Sequence, residues 1–197
     1  AAAYLLEGGV VVFPTETFYA LGAHFLRESA LARIYKIKGR DERAPLLCLV
    51  DGMGRLGELV QAIPAQAVTL MEKFWPGPLT LVLPARPGIP SALTGHGRGV
   101  GVRWSSHPLA QALVAAVGAP VVGTSANLSG RPPAPTLAEI PGLILEQVDG
   151  LVDGGRLPGG SPSTVLDCTV KPFRMIREGA ISLETLGSIV GTALAGG

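Results

Sequence analysis

The sequence predicts one α/β domain with α+β-like character, in which helices flank a twisted mixed sheet of parallel and antiparallel strands. Short apolar segments alternate along its 197 residues with longer segments that carry apolar residues at helical spacing. Several short segments are apolar on both faces, as strands are when helices cover both sides of their sheet. The 27 glycines and 17 prolines fall mainly between these segments, where they favour turns.

Eight of the short apolar segments are predicted as strands. They are Val10–Phe13, Leu46–Val50, Leu79–Leu83, Val100–Trp104, Pro120–Gly123, Gly150–Val152, Thr164–Cys168 and Phe173–Ile176. No linker, charge run or internal repeat interrupts the series. We therefore predict a single domain over residues 1–197, with its core at about 8–190.

Three helices are predicted up to the middle of the chain. Ser29–Lys38 carries an apolar stripe and ends at Gly39, and Pro64–Phe74 carries another that ends before Pro76. Ser106 is predicted to cap a third helix, whose inward stripe is Leu109, Leu113, Val114 and Val117.

Two helices are predicted towards the C-terminus. Thr136 and Glu139 fit a capping box, but the following Pro141 predicts a short or broken helix. Ser182 is predicted to begin the last helix. The Gly- and Ala-rich residues after Gly191 are expected to fray.

The composition excludes several classes of protein. The formal net charge is +1, whereas a general nucleic-acid binder carries a large basic excess. No apolar run approaches the roughly 18 residues that a membrane span needs, so no membrane partner is expected. Cys48 and Cys168 lie in apolar segments, which indicates buried thiols in a reducing, cytoplasmic compartment. Two cysteines and three scattered histidines supply too few ligands for a metal site.

Cations cluster where the first long helix ends. Lys38 and Arg40 flank Gly39 in the segment YKIKGRDERAP. Two cations on a short loop beside a strand can grip a phosphate or carboxylate. The alternative is that they only complement the dipole of the helix.

Hydroxyl groups and an amide follow the strand Pro120–Gly123. The segment GTSANLSG offers Ser125, Asn127 and backbone N–H groups, which suit a phosphate or nucleotide. The alternative is a polar turn. A serine-hydrolase elbow is disfavoured, because Asn127 stands where glycine is required.

Polar residues mark three further strands. Arg103 lies in an apolar strand, where a buried arginine needs an anionic partner, either an acidic side chain of this chain or a ligand carboxylate. Ser163 precedes one strand and Arg177 follows another. Ligands of open α/β sheets bind at strand ends, so these loops together predict a site for a polyanion and a small polar zwitterion.

The segment VVVFPTETFYALG breaks from an apolar run at Pro14 and at once presents Thr15, Glu16 and Thr17. By itself this segment fits a polar turn as well as the wall of a site. The other strand-end loops favour the wall. Glu16 is expected to be structural or to support the site from behind.

Six segments, in order from about Gly8 to Gly179, resemble the successive motifs of the YrdC-type threonylcarbamoyl-AMP synthases. They are FPTETFYALG, KGRDERAPL, FWPGPLTLVLPA, VGVRWSSHPLA, GTSANLSGRPP and GGSPSTVLD. The resemblance implies a YrdC-like fold with a basic concave surface. It also implies a nucleotidyltransferase that makes threonylcarbamoyl-AMP and pyrophosphate from L-threonine, bicarbonate or CO2, and ATP. A separate tRNA threonylcarbamoyl transferase complex would then modify adenosine 37 of tRNA.

The same resemblance implies the roles of individual residues. Those on the ATP side are Lys38, Arg40, Thr80, Ser125, Asn127 and Arg177. Those in the threonine pocket are Thr17, Arg103 and Ser163. Lys38 and Arg40 would be catalytic, offsetting charge on the leaving pyrophosphate together with Mg2+ bound to ATP. Replacing either by alanine is expected to cut turnover and leave the fold intact.

The sequence departs from the family pattern in places. Ala20 replaces a usual glycine, and Leu49 occupies a position that is histidine in some members and apolar in others. The C-terminal domain of the longer members is absent, which favours the short, single-domain form. Two alternatives remain: a YrdC-like module that binds RNA weakly, and a domain that forms carbamoyl-adenylate. The near-neutral charge counts against the first, and the absence of zinc-finger or transferase parts counts against the second.

Overall fold

The computed structural model describes residues 1–194, while 195–197, the end of the predicted domain and of its fraying tail, lie outside the described residues. The strands of the described part are β1 (Val11–Pro14), β2 (Tyr19–His24), β3 (Cys48–Leu49), β4 (Leu79–Pro84), β5 (Gly99–Arg103), β6 (Val121–Ser125), β7 (Gly150–Leu151), β8 (Thr164–Asp167) and β9 (Arg174–Arg177). They form one sheet in the order β7-β1-β2-β6-β3-β5-β4-β8-β9.

The sheet is mixed, as predicted. β1 pairs with β7, β3 with β5 and β4 with β8 in parallel, and the remaining neighbours pair antiparallel. Three antiparallel pairs join consecutive strands, namely β1–β2, β4–β5 and β8–β9. The pairs β2–β6 and β6–β3, at the centre of the sheet, instead join segments that are distant in the chain.

In the chain, helices precede, separate and follow the strands. They are α1 (Ala2–Leu6), α2 (Glu28–Lys38), α3 (Ala65–Phe74), α4 (Ser91–Thr94), α5 (Pro108–Val117), α6 (Gly142–Leu145) and α7 (Leu183–Val190). Short 3-10 turns occupy Met53–Glu58, Leu137–Glu139 and Gly191–Ala193. Within residues 1–194, every helix is too short or too polar to traverse a lipid bilayer.

The two faces of the sheet are covered unequally. One face carries the larger core, to which Cys48, Leu81 and Val102 belong. On the other face a smaller cluster, which includes Phe13 and Leu49, packs beneath α1 and α5. This smaller cluster draws on β1, β2, β3 and β6, so the same face over β4, β5 and β8 is free to form a cavity.

Both cysteines are buried and free, as predicted. Burial raises the pKa of the Cys48 thiol well above its ordinary range and that of Cys168 to about 12. Neither thiol is ionised near neutral pH, so both act as packing residues.

Four local predictions are wrong. Strand β2 is missed, because YALGAH is poor in β-branched residues; it forms because β1 and β6 pair with it on both sides. His107, not Ser106, caps α5, since its Nδ1 accepts a hydrogen bond from the Leu109 N–H at 3.2 Å, and Leu109 is 38% exposed. Thr136 makes no capping bond to the backbone.

Candidate functional site

A cavity of about 650 Å3 opens on the less covered face of the sheet. Its floor comes from the strands β4, β5 and β8, and its walls come from the β1–β2 turn, the loop after β6 and the end of β9. Where strands line the cavity, several of their residues are small, among them Ala20, Gly99, Gly101 and Gly123. These positions carry little or no side chain, which leaves space for the cavity above the sheet.

Gly101 shows how the floor is kept open. A Cβ atom at this position would lie 3.3 Å from the Leu47 Cβ and 3.6 Å from the Thr80 Cγ2, and both of these residues line the cavity. A larger side chain at Gly101 would therefore occupy the space above the floor. Glycine at this position thus leaves the space above the strand open for the cavity.

The cavity gathers most of the residues that were predicted for the site. Those that line it are Thr17, Arg40, Thr80, Arg103, Ser125, Asn127, Ser163 and Arg177. Thr15, Thr124 and Arg131 line it as well and were not assigned to the site. All three stand in or next to the quoted motifs, so their proximity to assigned residues was the available signal.

The segment PTET is both a turn and a wall. Thr15 Oγ1 donates a hydrogen bond to the Phe18 carbonyl at 2.8 Å and accepts one from the Thr17 N–H at 3.3 Å. These bonds close the connection between β1 and β2. Thr15 and Thr17 then face the cavity from this turn, each less than 9% exposed.

Lys38 lies beneath the loop after β6 and outside the cavity lining. Its ammonium donates to the Ser125 carbonyl, to the Asn127 carbonyl at 2.8 Å and to Asn127 Oδ1 at 3.3 Å. Burial, and then the charge of Arg40, lower the pKa of Lys38 to about 8. Lys38 thus fixes the shape of the loop that presents Ser125 and Asn127.

Arg40 faces the cavity from the other side of Gly39, which takes a left-handed conformation at φ 56° and reverses the chain. One terminal nitrogen of Arg40 donates to the Pro45 carbonyl at 3.1 Å. Its Nε is buried and has no hydrogen-bond partner among the described residues. A buried donor without a partner is costly, which makes Arg40 a candidate contact for an anionic ligand.

Arg103 is buried in the cavity wall at 5% exposure. Burial lowers its pKa, and the charge of Glu16 opposes this shift. The Arg103 Nη1 and Glu16 Oε1 atoms are 3.4 Å apart, and the Arg103 Nε has no partner among the described residues. The anionic partner expected for this arginine is thus found within the chain, and the guanidinium keeps an unused donor.

Arg177 and the hydroxyls form the third polar group of the cavity. Arg177 donates to the Ser163 carbonyl at 2.8 Å, and the hydroxyls of Ser163 and Thr80 are 3.1 Å apart. Although Arg177 as a residue is exposed, loss of water around its guanidinium lowers its pKa, and repulsion from Arg103 and Arg40 lowers it further. All three arginines line the same cavity and can therefore act on one ligand.

Leu49 and Glu16, whose roles the sequence left open, both lie outside the cavity lining. Leu49 packs in the smaller core cluster beside Gly123, and Glu16 lies behind Arg103. Among the described residues that line the cavity there is no histidine, so Ser125 has no candidate base for hydrolase chemistry. There is also no carboxylate in this lining, so the arginines present positive charge to a ligand.

Comparison with known proteins identifies the family. A family model for Sua5, YciO and YrdC proteins, described as "Telomere recombination", matches residues 3–179.

The chain belongs to the Sua5/YciO/YrdC family.

Named relatives agree with this assignment. A Bacillus subtilis threonylcarbamoyl-AMP synthase is 42% identical over 193 residues, which cover 97% of this chain and 56% of that protein. One from Pyrococcus abyssi is 38% identical over 191 residues, again 97% of this chain and 56% of the relative. The chain therefore spans about half the length of these two curated relatives.

Solved structures of the Sua5/YciO/YrdC family confirm the fold. P. abyssi Sua5 complexed with L-threonine has a TM-score of 0.92 at 37% identity, covering 97% of this chain and 56% of that chain. Escherichia coli YciO has a TM-score of 0.85 at 30% identity, covering 94% and 90% respectively. The predicted YrdC-like mixed sheet with flanking helices is confirmed.

Proposed function

We propose that this chain carries the active site of an L-threonylcarbamoyladenylate synthase. Such an enzyme converts L-threonine, bicarbonate or CO2, and ATP to threonylcarbamoyl-AMP and pyrophosphate. The observation that carries the proposal is the convergence of Arg40, Arg103 and Arg177 with a ring of hydroxyls on one cavity. Curated relatives of the family named threonylcarbamoyl-AMP synthase support this reaction over others.

The ATP side of the cavity is assigned to two arginines and the loop after β6. Arg40 and Arg177 would bind the phosphates, and a guanidinium suits this role because its fork of donors matches phosphate oxygens. Thr80, Ser125 and Asn127 would fix the α-phosphate or ribose. Lys38 would support this side from beneath the loop, through its bonds to Ser125 and Asn127.

The threonine side is assigned to Arg103, Thr17 and Ser163. The Arg103 guanidinium would receive the carboxylate of the amino acid, and its unpartnered Nε supports this role. Thr17 and Ser163 would orient the rest of the substrate through their hydroxyls. A P. abyssi Sua5 structure that contains L-threonine supports an amino-acid pocket in this fold.

The proposed chemistry is two successive bond formations. The amine of threonine and bicarbonate give the N-carbamate with loss of water. A carbamate oxygen then attacks the α-phosphorus of ATP in line, the bond from this phosphorus to the bridging oxygen breaks, and pyrophosphate leaves with the negative charge. Such a step needs positioning and charge stabilisation more than a protein nucleophile. Arg40 and Arg177 would stabilise the charge on the pyrophosphate.

Mg2+ would enter with ATP. No cluster of three or more histidine, cysteine or acidic side chains that suits a metal occurs in the described residues. Since the cavity lining of this part of the chain also lacks carboxylates, its donor set does not fit a resident divalent cation. The ion would be held by the phosphates and would offset part of their charge.

The product would serve tRNA modification. Threonylcarbamoyl-AMP is a reactive mixed anhydride, so a threonylcarbamoyl transferase complex acting on adenosine 37 of tRNA would consume it close to where it forms. The protein would then act in the cytoplasm, beside tRNA. Direct RNA binding would be weak, since the chain has a net charge of only +1.

The test is pyrophosphate release with L-threonine, bicarbonate and Mg-ATP, omitting each substrate in turn. We expect release only with all three, and Arg40→Ala is expected to reduce it by about 100-fold, as removal of a group that stabilises developing charge does. Release with carbamoyl phosphate in place of threonine and bicarbonate would favour a carbamoyl-adenylate former. Salt-dependent RNA binding without turnover would favour an RNA-binding module.

A further inference from the structure

Glu16 is the acidic side chain that contacts the buried arginine of the cavity. The Glu16 Oε1 and Arg103 Nη1 atoms are 3.4 Å apart, and the two side chains are 13% and 6% exposed. At this depth the pair is poorly screened by water, so each charge depends on the other. Glu16 itself is absent from the cavity lining, and it acts on the site only through a neighbour.

The second oxygen of Glu16 is anchored to the entry of α5. Glu16 Oε2 accepts a hydrogen bond from Ser105 Oγ, and this hydroxyl oxygen accepts one from the His107 N–H at 3.2 Å. The side chain of Gln111, inside α5, donates to the Ser105 carbonyl at 2.9 Å. The carboxylate is therefore tied to a packed helix, although Glu16 belongs to the β1–β2 turn.

Arg103 keeps an unused edge as a result. A guanidinium has five N–H donors in one rigid plane, so holding one end sets the direction of the others. The Arg103 Nε is buried without a partner among the described residues. Arg103 also repels Arg177, and Glu16 is its ion-pair partner in the described part of the chain.

We propose that Glu16 is a positioning residue for amino-acid recognition. It holds the Arg103 guanidinium so that its unpaired edge receives the carboxylate of L-threonine, while Ser105 transmits the rigidity of α5 to the pair. The inference rests on the proposed function, because that function supplies the amino-acid carboxylate. It adds a chain of contacts from α5 through Ser105 and Glu16 to the substrate.

Glu16→Gln tests the role of the charge, because glutamine keeps the size of the side chain and can still accept from Ser105. We expect the KM for L-threonine to rise about tenfold or more, because the variant removes the charge that pairs with Arg103. The KM for ATP should change by less than about twofold, since this ion pair lies on the threonine side of the cavity. Titration calorimetry with L-threonine should show the same loss of affinity. A merely structural role would lower the melting temperature without separating the two substrates.

Two serine variants test the contact between Glu16 and Ser105, one by removing it and the other as a control. Ser105→Ala removes the bond to Glu16 Oε2 and should raise the KM for L-threonine in the same direction by a smaller factor. Ser106→Ala changes the exposed neighbour and should match the wild type. An equal effect of the two alanine variants would contradict the proposed chain of contacts.

The decisive experiment combines Glu16→Gln with Arg103→Lys. If Glu16 acts through Arg103, Glu16→Gln should change threonine affinity much less in the Arg103→Lys background than in the wild type. Equal effects in both backgrounds, or an unchanged KM for L-threonine in Glu16→Gln, would overturn the inference while leaving the proposed function standing. Wild-type protein that neither binds L-threonine nor uses it would overturn both.

Discussion

At the scale of single residues, Lys38 shows how burial changes a role that the sequence suggested. Its position beside Gly39 predicted a phosphate contact on a loop. Its ammonium instead meets two backbone carbonyls and an amide oxygen of the loop after β6, and the residue is 2% exposed. No local pattern could predict this, because the acceptors lie nearly ninety positions away in the chain.

Lys38→Met should therefore destabilise the fold as well as reduce turnover. It leaves three acceptors of Ser125 and Asn127 without their donor, and we expect a loss of about 1–3 kcal/mol in the free energy of unfolding. Arg40→Ala, by contrast, should reduce turnover with little loss of stability. Urea unfolding of the two variants beside the wild type measures the difference, and equal stabilities would contradict the structural role of Lys38.

The stabilities of the wild type and Lys38→Met should also diverge with pH. The pKa of Lys38 is about 8 in the folded protein and near its ordinary 10.5 when unfolded. Between these values the unfolded chain binds more protons, so wild-type stability rises with pH relative to Lys38→Met, by at most about 1.4 kcal/mol per pH unit. Urea midpoints from pH 8 to 10 report this, and a constant difference would contradict it.

At the scale of elements, the strands of the cavity floor contribute through the side chains they lack. The short apolar segments predicted β4, β5, β6 and β8 well, and the polar residues at strand ends predicted most of the cavity wall. These patterns did not predict the floor of the cavity, because glycine in a strand usually indicates a destabilised strand or a bulge. β2 was missed for a related reason, since small residues such as Gly22 are required there by the neighbouring Phe13.

Gly101→Val is expected to fill the cavity while leaving the sheet intact. Its Cβ would meet Leu47 at 3.3 Å, which a small shift relieves, and its methyl groups would extend into the space for the ligand. We expect threonine-dependent pyrophosphate release to fall at least about tenfold, with a loss of stability below about 2 kcal/mol. Gly57→Ala, where a Cβ meets no atom within 4 Å, is the control. If Gly101→Val kept full activity, the assignment of this cavity as the active site would be contradicted.

At the scale of the whole molecule, Asp149 joins distant parts of the chain at one edge of the sheet. Its Oδ2 accepts from the Val10 N–H at 2.6 Å and from Arg33 Nη1 at 2.8 Å, so it connects the start of β1, α2 and the approach to β7. The apolar segments predicted a mixed sheet and most of its elements. They could not predict the strand order, which such long-range contacts decide.

Asp149→Ala should lower the free energy of unfolding by about 1–2 kcal/mol. The expected loss is this small because the Arg33–Asp149 ion pair is partly exposed to water. The bonds to Arg33 and Val10 outweigh the effect of burial and lower the pKa of Asp149. Its contribution is therefore complete above the ordinary pKa of 3.8 and lost as pH falls through the lower folded value. Urea unfolding at a series of pH values from about 7 down to about 2 tests both points, with Glu146→Ala at an exposed neighbouring position as the control. A difference that persists at low pH would contradict the ionic part.

The cavity draws its first wall from Thr15 and Thr17 and its last from Arg177, with its floor between them in the sheet. A nascent chain therefore cannot complete the cavity until residue 177 has left the ribosome and β9 has paired with β8. Until then, β4 or β8 leaves one edge of the sheet unpaired. The first wall of the cavity is thus synthesised long before the cavity itself can form.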